Sequence, residues 1–480
     1  MPERAAPPRT HAAAAALALA AFAAFRLPAL VRYPPWTDEM FTIAVTQRPF
    51  RTMVAYLADD QTNPPLFYLL LWVWRAVGGA SLWWLRLMPS LCGVLMALPV
   101  LAICRRARLG APATALALAA TAASQALVFH SNELRAYALY ALLAACSIAL
   151  WLRAREERTP RDLSWLTAVN VALVYSHYFG TLVVAVEFLD ALLWSRARLR
   201  GMALSAAATA LSLVPWIAMV ARRAHLAAET LGNASWIPAP IPGDLFDPYR
   251  WALGRGPSIA VDLALLVAIG GLVAWHVVRR RREHPALLPL AAFAIVPSLV
   301  ALAVSLAAPR SVWVSRYLLA TAAPFLVIAA AACVDALPAA LRRFGAALAL
   351  WPAFVTVTAL AEGREKVRFD RLANGIDASR VAAPEAFAMS WVEGGPLRYQ
   401  GLRLGGAPRV TALPSVDSLT AGEGWLVWSE NHPPHGLPPA AGLRRHGYTV
   451  GAPLVETGMW DDQLARADSV IAMPFHRARP

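Results

Sequence analysis

Apolar runs close to the length of a bilayer core recur along the first three quarters of the chain, separated by short polar clusters. They predict membrane-spanning helices near 11–31, 86–104, 112–129, 134–152, 164–177, 181–195, 202–220, 258–278, 286–308, 317–336 and 344–360, about eleven in all. The run at 66–78 is shorter, carries Arg75 and is rich in Trp and Tyr, so it is expected to lie along or dip into the interface, opened by Pro65. Ahead of it, Met40, Phe41, Ala44 and Val45 share one helical face, and Phe50, Met53, Val54 and Leu57 repeat at i, i+3, i+4, i+7. Two short interfacial helices follow from that, the first with Thr37 as N-cap, Asp38 and Glu39 in its first turn, and Pro49 as its stop. From Glu362 the pattern changes: 425–429, 446–450 and 469–473 read as strands among modest helical segments. The expected fold class is an all-α polytopic membrane unit, residues 1–361, whose first outer loop spans 32–85, followed by a small extracytoplasmic α/β domain, residues 362–480.

Composition narrows the class. Of 480 residues 58% are hydrophobic and only 15% charged, which excludes an ordinary soluble enzyme. The formal net charge of +14 is almost all arginine, since Lys366 is the sole lysine. No basic patch is interleaved with aromatics, so nucleic acid is not an expected partner. The arginines sit between apolar runs and report topology instead. Clusters at 105–108, 153–161, 195–200 and 279–282 stay on one side if 66–78 does not cross, which puts the N-terminus in the cytoplasm and the C-terminal domain outside, in a bacterial plasma membrane. Residues 1–31 also resemble a signal peptide, but the many spans that follow favour an uncleaved first span. Cys92, Cys104, Cys146 and Cys333 all fall within apolar segments, as buried thiols do. No internal repeat stands out.

On that topology the polar residues collect at the outer ends of the spans. They are Asp38, Glu39, Asp59, Asp60, Asn63, His130, Glu133, Arg135, Tyr137, His177, Tyr178, Arg310, Arg316 and Tyr317. Ionisable groups at membrane depth are costly and mark functional sites by default. The Asp38-Glu39 pair, PPLFYLLL (64–71), SNELRAYAL (131–139), SHYFG (176–180), SWIPAP (235–240) and VSRYLL (314–319) together resemble the C-type-fold membrane glycosyltransferases. Glycosyltransferase family 39 is the nearest likeness, with the protein O-mannosyltransferases and aminoarabinose transferases as relatives. The resemblance covers most of residues 1–340 and implies a sugar donor on a polyprenyl phosphate, used on the outer side of the membrane.

Glycosyl transfer needs a base at the acceptor hydroxyl and cations on the departing phosphate. Asp38 matches the family's acidic position and is the candidate base; Glu39, one residue on, faces another way and supports acceptor binding or helix orientation. Helix N-terminal charge stabilisation is the bland alternative for the pair. Arg135 presents a planar fork for phosphate, and Arg316 with Tyr317 forms a second clamp; interfacial anchoring is the alternative for both. Glu133, Tyr137, Tyr178 and Asn63 complete the candidate binding set. No metal signature is present; Asp60 and His177 would be the first ligands to a divalent ion, although a hydrogen bond from His177 to donor or backbone is favoured. His130 reads as an interfacial histidine. The acceptor could be a glycan, a lipid or a protein hydroxyl. A flippase for a lipid-linked glycan, or a non-catalytic assembly protein, are the competing classes; the first would show repeat symmetry and broken helices at the midplane.

Overall fold

The computed structural model describes residues 8–157, 159–223, 237–256, 258–335, 337–338, 340, 342–362, 367–379, 385–389, 391–403, 408–413, 415–429, 438–461 and 466–477. They form two compact units, Met1–Leu30 with Val45–Thr358, and Val31–Ala44 with Ala359–Pro480. Residues 235 and 236 of the SWIPAP stretch lie outside the described residues.

Helices and loops make up the described part of the first unit. At its centre runs Ser315–Asp335, a 3-10 turn leading into an α-helix, with 89% of its most apolar window buried. Its sequence explains that position. The run AAPFLVIAAAACVD is dominated by small residues, which let neighbouring backbones approach closely. Helices Ala111–Ala123, Ile259–Arg280 and Leu287–Ala307 pack around it. At the other extreme, Arg196–Arg222 buries only 17% of its window and turns Leu204, Leu211 and Val214 outward. An exposed apolar stripe of that length suits lipid tails and not water. Polar groups inside the bundle are tied to one another. Ser147 Oγ donates to Asn170 Oδ1 (2.6 Å) and lies against Glu187, Asn170 Nδ2 donates to Glu187 Oε2 (2.7 Å), and Trp151 Nε1 donates to Asp190 Oδ2 (3.0 Å). These bonds stitch Tyr137–Glu157, Pro160–Ser176 and Gly180–Leu193 together.

The protein is a multi-span membrane protein. Among the described residues six helices are long and apolar enough to cross: Leu82–Arg106, Tyr137–Glu157, Arg196–Arg222, Ile259–Arg280, Leu287–Ala307 and Ser315–Asp335. A seventh follows if Ala111–Ala123 and Gln125–Ser131, bent by 50° at Ser124, cross as one. The remaining four expected spans are also helical, at Pro8–Arg26, Pro160–Ser176, Gly180–Leu193 and Arg342–Glu362, of which the middle two are the shortest. A helix of 14 to 17 residues extends about 21–26 Å, short of a core of about 30 Å. The segment expected at the interface is the 13-residue helix Leu66–Gly78. Its Trp74 stacks on Trp84 of the following helix at 4.4 Å and 7°, and each indole N–H donates to the other residue's carbonyl (2.7 and 2.8 Å).

The second unit carries a six-stranded sheet. Its strands are β1 (Glu385–Ala388), β2 (Arg409–Ala412), β3 (Glu423–Ser429), β4 (Tyr448–Val450), β5 (Leu454–Asp461) and β6 (Arg466–Arg477). β1 runs parallel to β2 and β3, while β6 pairs antiparallel with β3, β4 and β5. Alternation sends Ala386, Trp425 and Val427 to one face, against Phe369, Leu372 and Ile376 of the helix Phe369–Ala378. Phe387, Leu426 and Trp428 go to the other, against Val416, Leu443 and Phe475. Both faces are covered, as the parallel strands require. The strands expected at 425–429, 446–450 and 469–473 correspond to β3, β4 and β6. Residues 31–44 belong to the same unit: Tyr33, Pro34 and Pro35 are buried, and Met40 lies 3.9 Å from where a Cβ on Gly395 would stand.

Candidate functional site

In the first unit the chain breaks between Gln125–Ser131 and Tyr137–Glu157. The break sends two charged neighbours in different directions. Glu133 is fully buried, and its Oε2 lies 2.7 Å from His130 Nδ1, a pair in which each side chain is 1% exposed. Arg135 stays half-buried and reaches the preceding elements: Nη1 donates to Tyr68 Oη (3.2 Å) and Nη2 to Asn63 Oδ1 (3.4 Å). Asn63 is in turn held by Asp60, to whose Oδ2 its Nδ2 donates (2.8 Å). Asp60 also meets the Thr62 hydroxyl, just after Phe50–Asp60 ends at a left-handed Gln61 (φ 59°). A chain of polar contacts thus runs Asp60, Asn63, Arg135, Tyr68.

Behind the break the helix resumes at Tyr137, and its ring gathers the other candidates. Arg316 Nε donates to Tyr137 Oη (2.9 Å), and the carbons Cζ of Arg135 and Arg316 lie 5.9 and 5.8 Å from the Tyr137 ring centre. Two guanidinium groups, distant in sequence, therefore flank one tyrosine. Tyr317 stacks on Tyr137 at 6.4 Å and accepts, through its carbonyl, a hydrogen bond from Tyr140 Oη (3.0 Å). His177 packs among Tyr137, Tyr140 and Tyr317, at 5.9, 4.7 and 5.0 Å. Burial, and then the charges of Arg135 and Arg316, push its pKa down to about 3. The imidazole is neutral at physiological pH, and its Nδ1 accepts from Phe179 N–H (3.2 Å), so the proton belongs on Nε2. The turn around it is tight: a Cβ on Gly180 would fall 2.8 Å from Leu173 Cγ and 3.0 Å from Leu173 O, so only glycine closes it without displacing Leu173. Tyr178 faces another helix, its hydroxyl accepting from Trp216 Nε1 (2.9 Å).

Asp38 and Glu39 sit in the second unit. Their helix runs Thr37–Thr46, and its first backbone bond joins Met40 N to Trp36 O (2.9 Å). Trp36 therefore takes the capping place expected of Thr37, one residue earlier. Glu39 is fully buried, and its Oε2 accepts from Trp36 N–H (3.3 Å), as an acid at the third helical position does when it reaches back to the cap. Asp38 is half-buried on a different side of the turn.

Several sequence readings change at this point. The expected interfacial histidine, His130, is buried, enclosed by Phe129, Tyr137 and Trp251 rings and joined to Glu133. Glu133, one of the expected binding residues, is buried against His130. Asp60 contacts Thr62 and Asn63, His177 contacts Phe179, and among the described residues no group of three or more His, Cys, Asp or Glu is placed to hold a metal. Asp59 pairs with Arg223 (2.7 Å). Tyr68 and Tyr140 escaped the sequence reading; the available signal was a hydroxyl-bearing ring inside an otherwise aliphatic helical face, which reads equally well as an aromatic belt.

No family model matches this sequence, and no curated protein matches it. Solved structures do. The chain superposes on ArnT from Cupriavidus metallidurans in the apo state with a TM-score of 0.54 at 15% identity, over 95% of this chain and 96% of that one. Against ArnT bound to undecaprenyl phosphate the TM-score is 0.52, again at 15% identity, over 97% and 98%. The likeness extends through both units and establishes a shared fold.

Proposed function

We propose that this chain is an integral-membrane glycosyltransferase that moves a sugar from a polyprenyl-phosphate donor to an acceptor hydroxyl on the outer face of the membrane. The observation that carries this reading is the convergence of Arg135 and Arg316 on Tyr137. Two planar cations at the end of a membrane helix suit a phosphate that gains charge as the sugar leaves. The fold likeness to a protein crystallised with undecaprenyl phosphate points to the same class of donor. In the step, the acceptor oxygen bonds to the anomeric carbon while the bond from that carbon to the phosphate oxygen breaks. The polyprenyl phosphate departs with the electron pair, and the hydroxyl proton passes to Asp38. Tyr137, Tyr317 and neutral His177 hold the arginines in place, Asn63 and Tyr68 orient Arg135, and Glu39 fixes the start of the Asp38 helix.

The test is transfer from a polyprenyl-phosphate sugar in membranes, with donor binding measured separately. Arg135→Lys keeps the charge and loses the fork, and should cost roughly 10–100-fold in transfer with normal folding. Near-wild-type transfer in both Arg135→Lys and Arg316→Lys would reduce the two residues to interfacial anchors and remove the main support for the reading.

A further inference from the structure

A second basic site lies at the far end of the helix that begins at Tyr137. Eighteen residues on, a distance of about 27 Å along the axis, Arg155 enters a cavity of about 320 Å³. Arg106, Arg196 and Arg198 also line it, with Ser195 and Trp194 beside them. Its cations are built in. Arg155 Nε is bonded to Asp190 (2.9 Å), a side chain with no exposure, and to Ser195 Oγ (2.9 Å), while its Nη1 donates to Pro285 O (3.3 Å). Arg106 is gripped by Glu156 (3.0 Å) and Glu157 (2.5 Å). Glu156 lines the cavity too, and with Arg196 and Arg198 the cluster sets four arginines against the three carboxylates Asp190, Glu156 and Glu157, so positive charge remains in excess. Arg196 is exposed at its mouth, as is Trp194, which is 47% exposed. Leu152 and Ala286 supply an apolar floor.

We infer that this cavity binds the phosphate of an anionic membrane lipid, separate from the donor site at the other end of the helix. A phosphate fits the fixed guanidinium geometry, and the tryptophan and apolar floor fit the start of an acyl chain at an interface. An inorganic phosphate ion would share the cations and make no use of Trp194. The inference does not rest on the glycosyltransferase reading.

The experiment uses the full-length protein in nanodiscs of phosphatidylcholine carrying a minor fraction of phosphatidylglycerol, and counts retained phosphatidylglycerol by native mass spectrometry. The double variant Arg196→Ala/Arg198→Ala should lower apparent affinity by about tenfold or more. Arg281→Ala/Arg282→Ala, which removes the same charge from another loop, should leave it nearly unchanged. Ala197→Trp fills the cavity with all charges kept and should also lower binding, so a misfolded double variant does not leave the matter open. Millimolar inorganic phosphate should not displace the lipid; full displacement would make the ion the occupant and overturn the lipid assignment. Equal losses in the two arginine pairs, or unchanged retention in Ala197→Trp, would overturn the site itself.

Discussion

At the scale of single residues, the chemistry proposed for Asp38 and Glu39 makes opposite demands on two neighbours. Asp38→Asn keeps the shape and removes the proton acceptor, and should cut transfer by about 10²–10⁴ while donor binding persists. Glu39→Gln retains an oxygen for the Trp36 N–H and should be mild; Glu39→Ala loses the contact and should cost about 0.5–2 kcal/mol of stability, read as a lower melting temperature. Should Asp38→Asn lose donor binding as well, its role is binding and not proton transfer. His177 adds a pH effect of defined sign. Its pKa falls from an ordinary 6.5 to about 3 in the folded chain, so between those values the unfolded chain holds a proton that the folded chain refuses. Stability contributed at His177 is intact above about 6.5 and is lost as pH falls toward 3. Melting in detergent at pH 7 and pH 5 should therefore differ less in His177→Gln than in the wild type. Chelation by EDTA should leave transfer intact; loss reversed by one added divalent ion would make Asp60 and His177 the first ligands to examine. Arg135 was legible in the sequence because an arginine beside a membrane exit is costly. Its partners were not, because nothing in one dimension distinguishes Tyr68, which meets the guanidinium, from a tyrosine that only anchors a helix in the interface.

At the scale of elements, the periodicity gave helix positions well. Hydropathy alone cannot separate 180–193, a short helix tied to its neighbours through Glu187 and Asp190, from a full span, since buried carboxylates stabilised by Ser147, Asn170 and Trp151 leave the apolar average high. The break at 132–136 was visible only as a polar cluster between two apolar runs. Which of its side chains turns inward was decided by packing: His130 is enclosed by rings and takes Glu133 with it. Gly180 tests the turn that seats His177. Gly180→Ala should cost about 1–3 kcal/mol through the clash with Leu173, measurable as a lower melting temperature. An unchanged melting temperature would show that Leu173 yields freely and that the turn is not constrained as described.

At the scale of the whole molecule, the arginine clusters argue for one orientation. A reporter joined after Glu157 should read cytoplasmic and one joined after Arg477 extracytoplasmic. Labelling of a cysteine introduced at Ser81 from the cytoplasmic side would mean that 66–78 crosses, and every later loop would change side. The all-helical membrane unit and the sheet-bearing C-terminal unit were both readable from the switch in hydrophobic period near residue 362. The membership of residues 31–44 in the second unit was not, because they are separated from it in sequence by more than three hundred residues.

That separation has a consequence in time. The ribosome delivers the helix bearing Asp38 long before the residues it packs with, and at about 5–20 residues per second the interval is roughly 15–60 s. The wait ends late even within the second unit, since β6 is the last of the described strands to be made and is the one that joins β3, β4 and β5. Until it emerges, β3 presents an open edge and the early helix has no completed domain to join. A nascent chain therefore holds the helix that bears Asp38 without the sheet of its own unit for the whole of that interval.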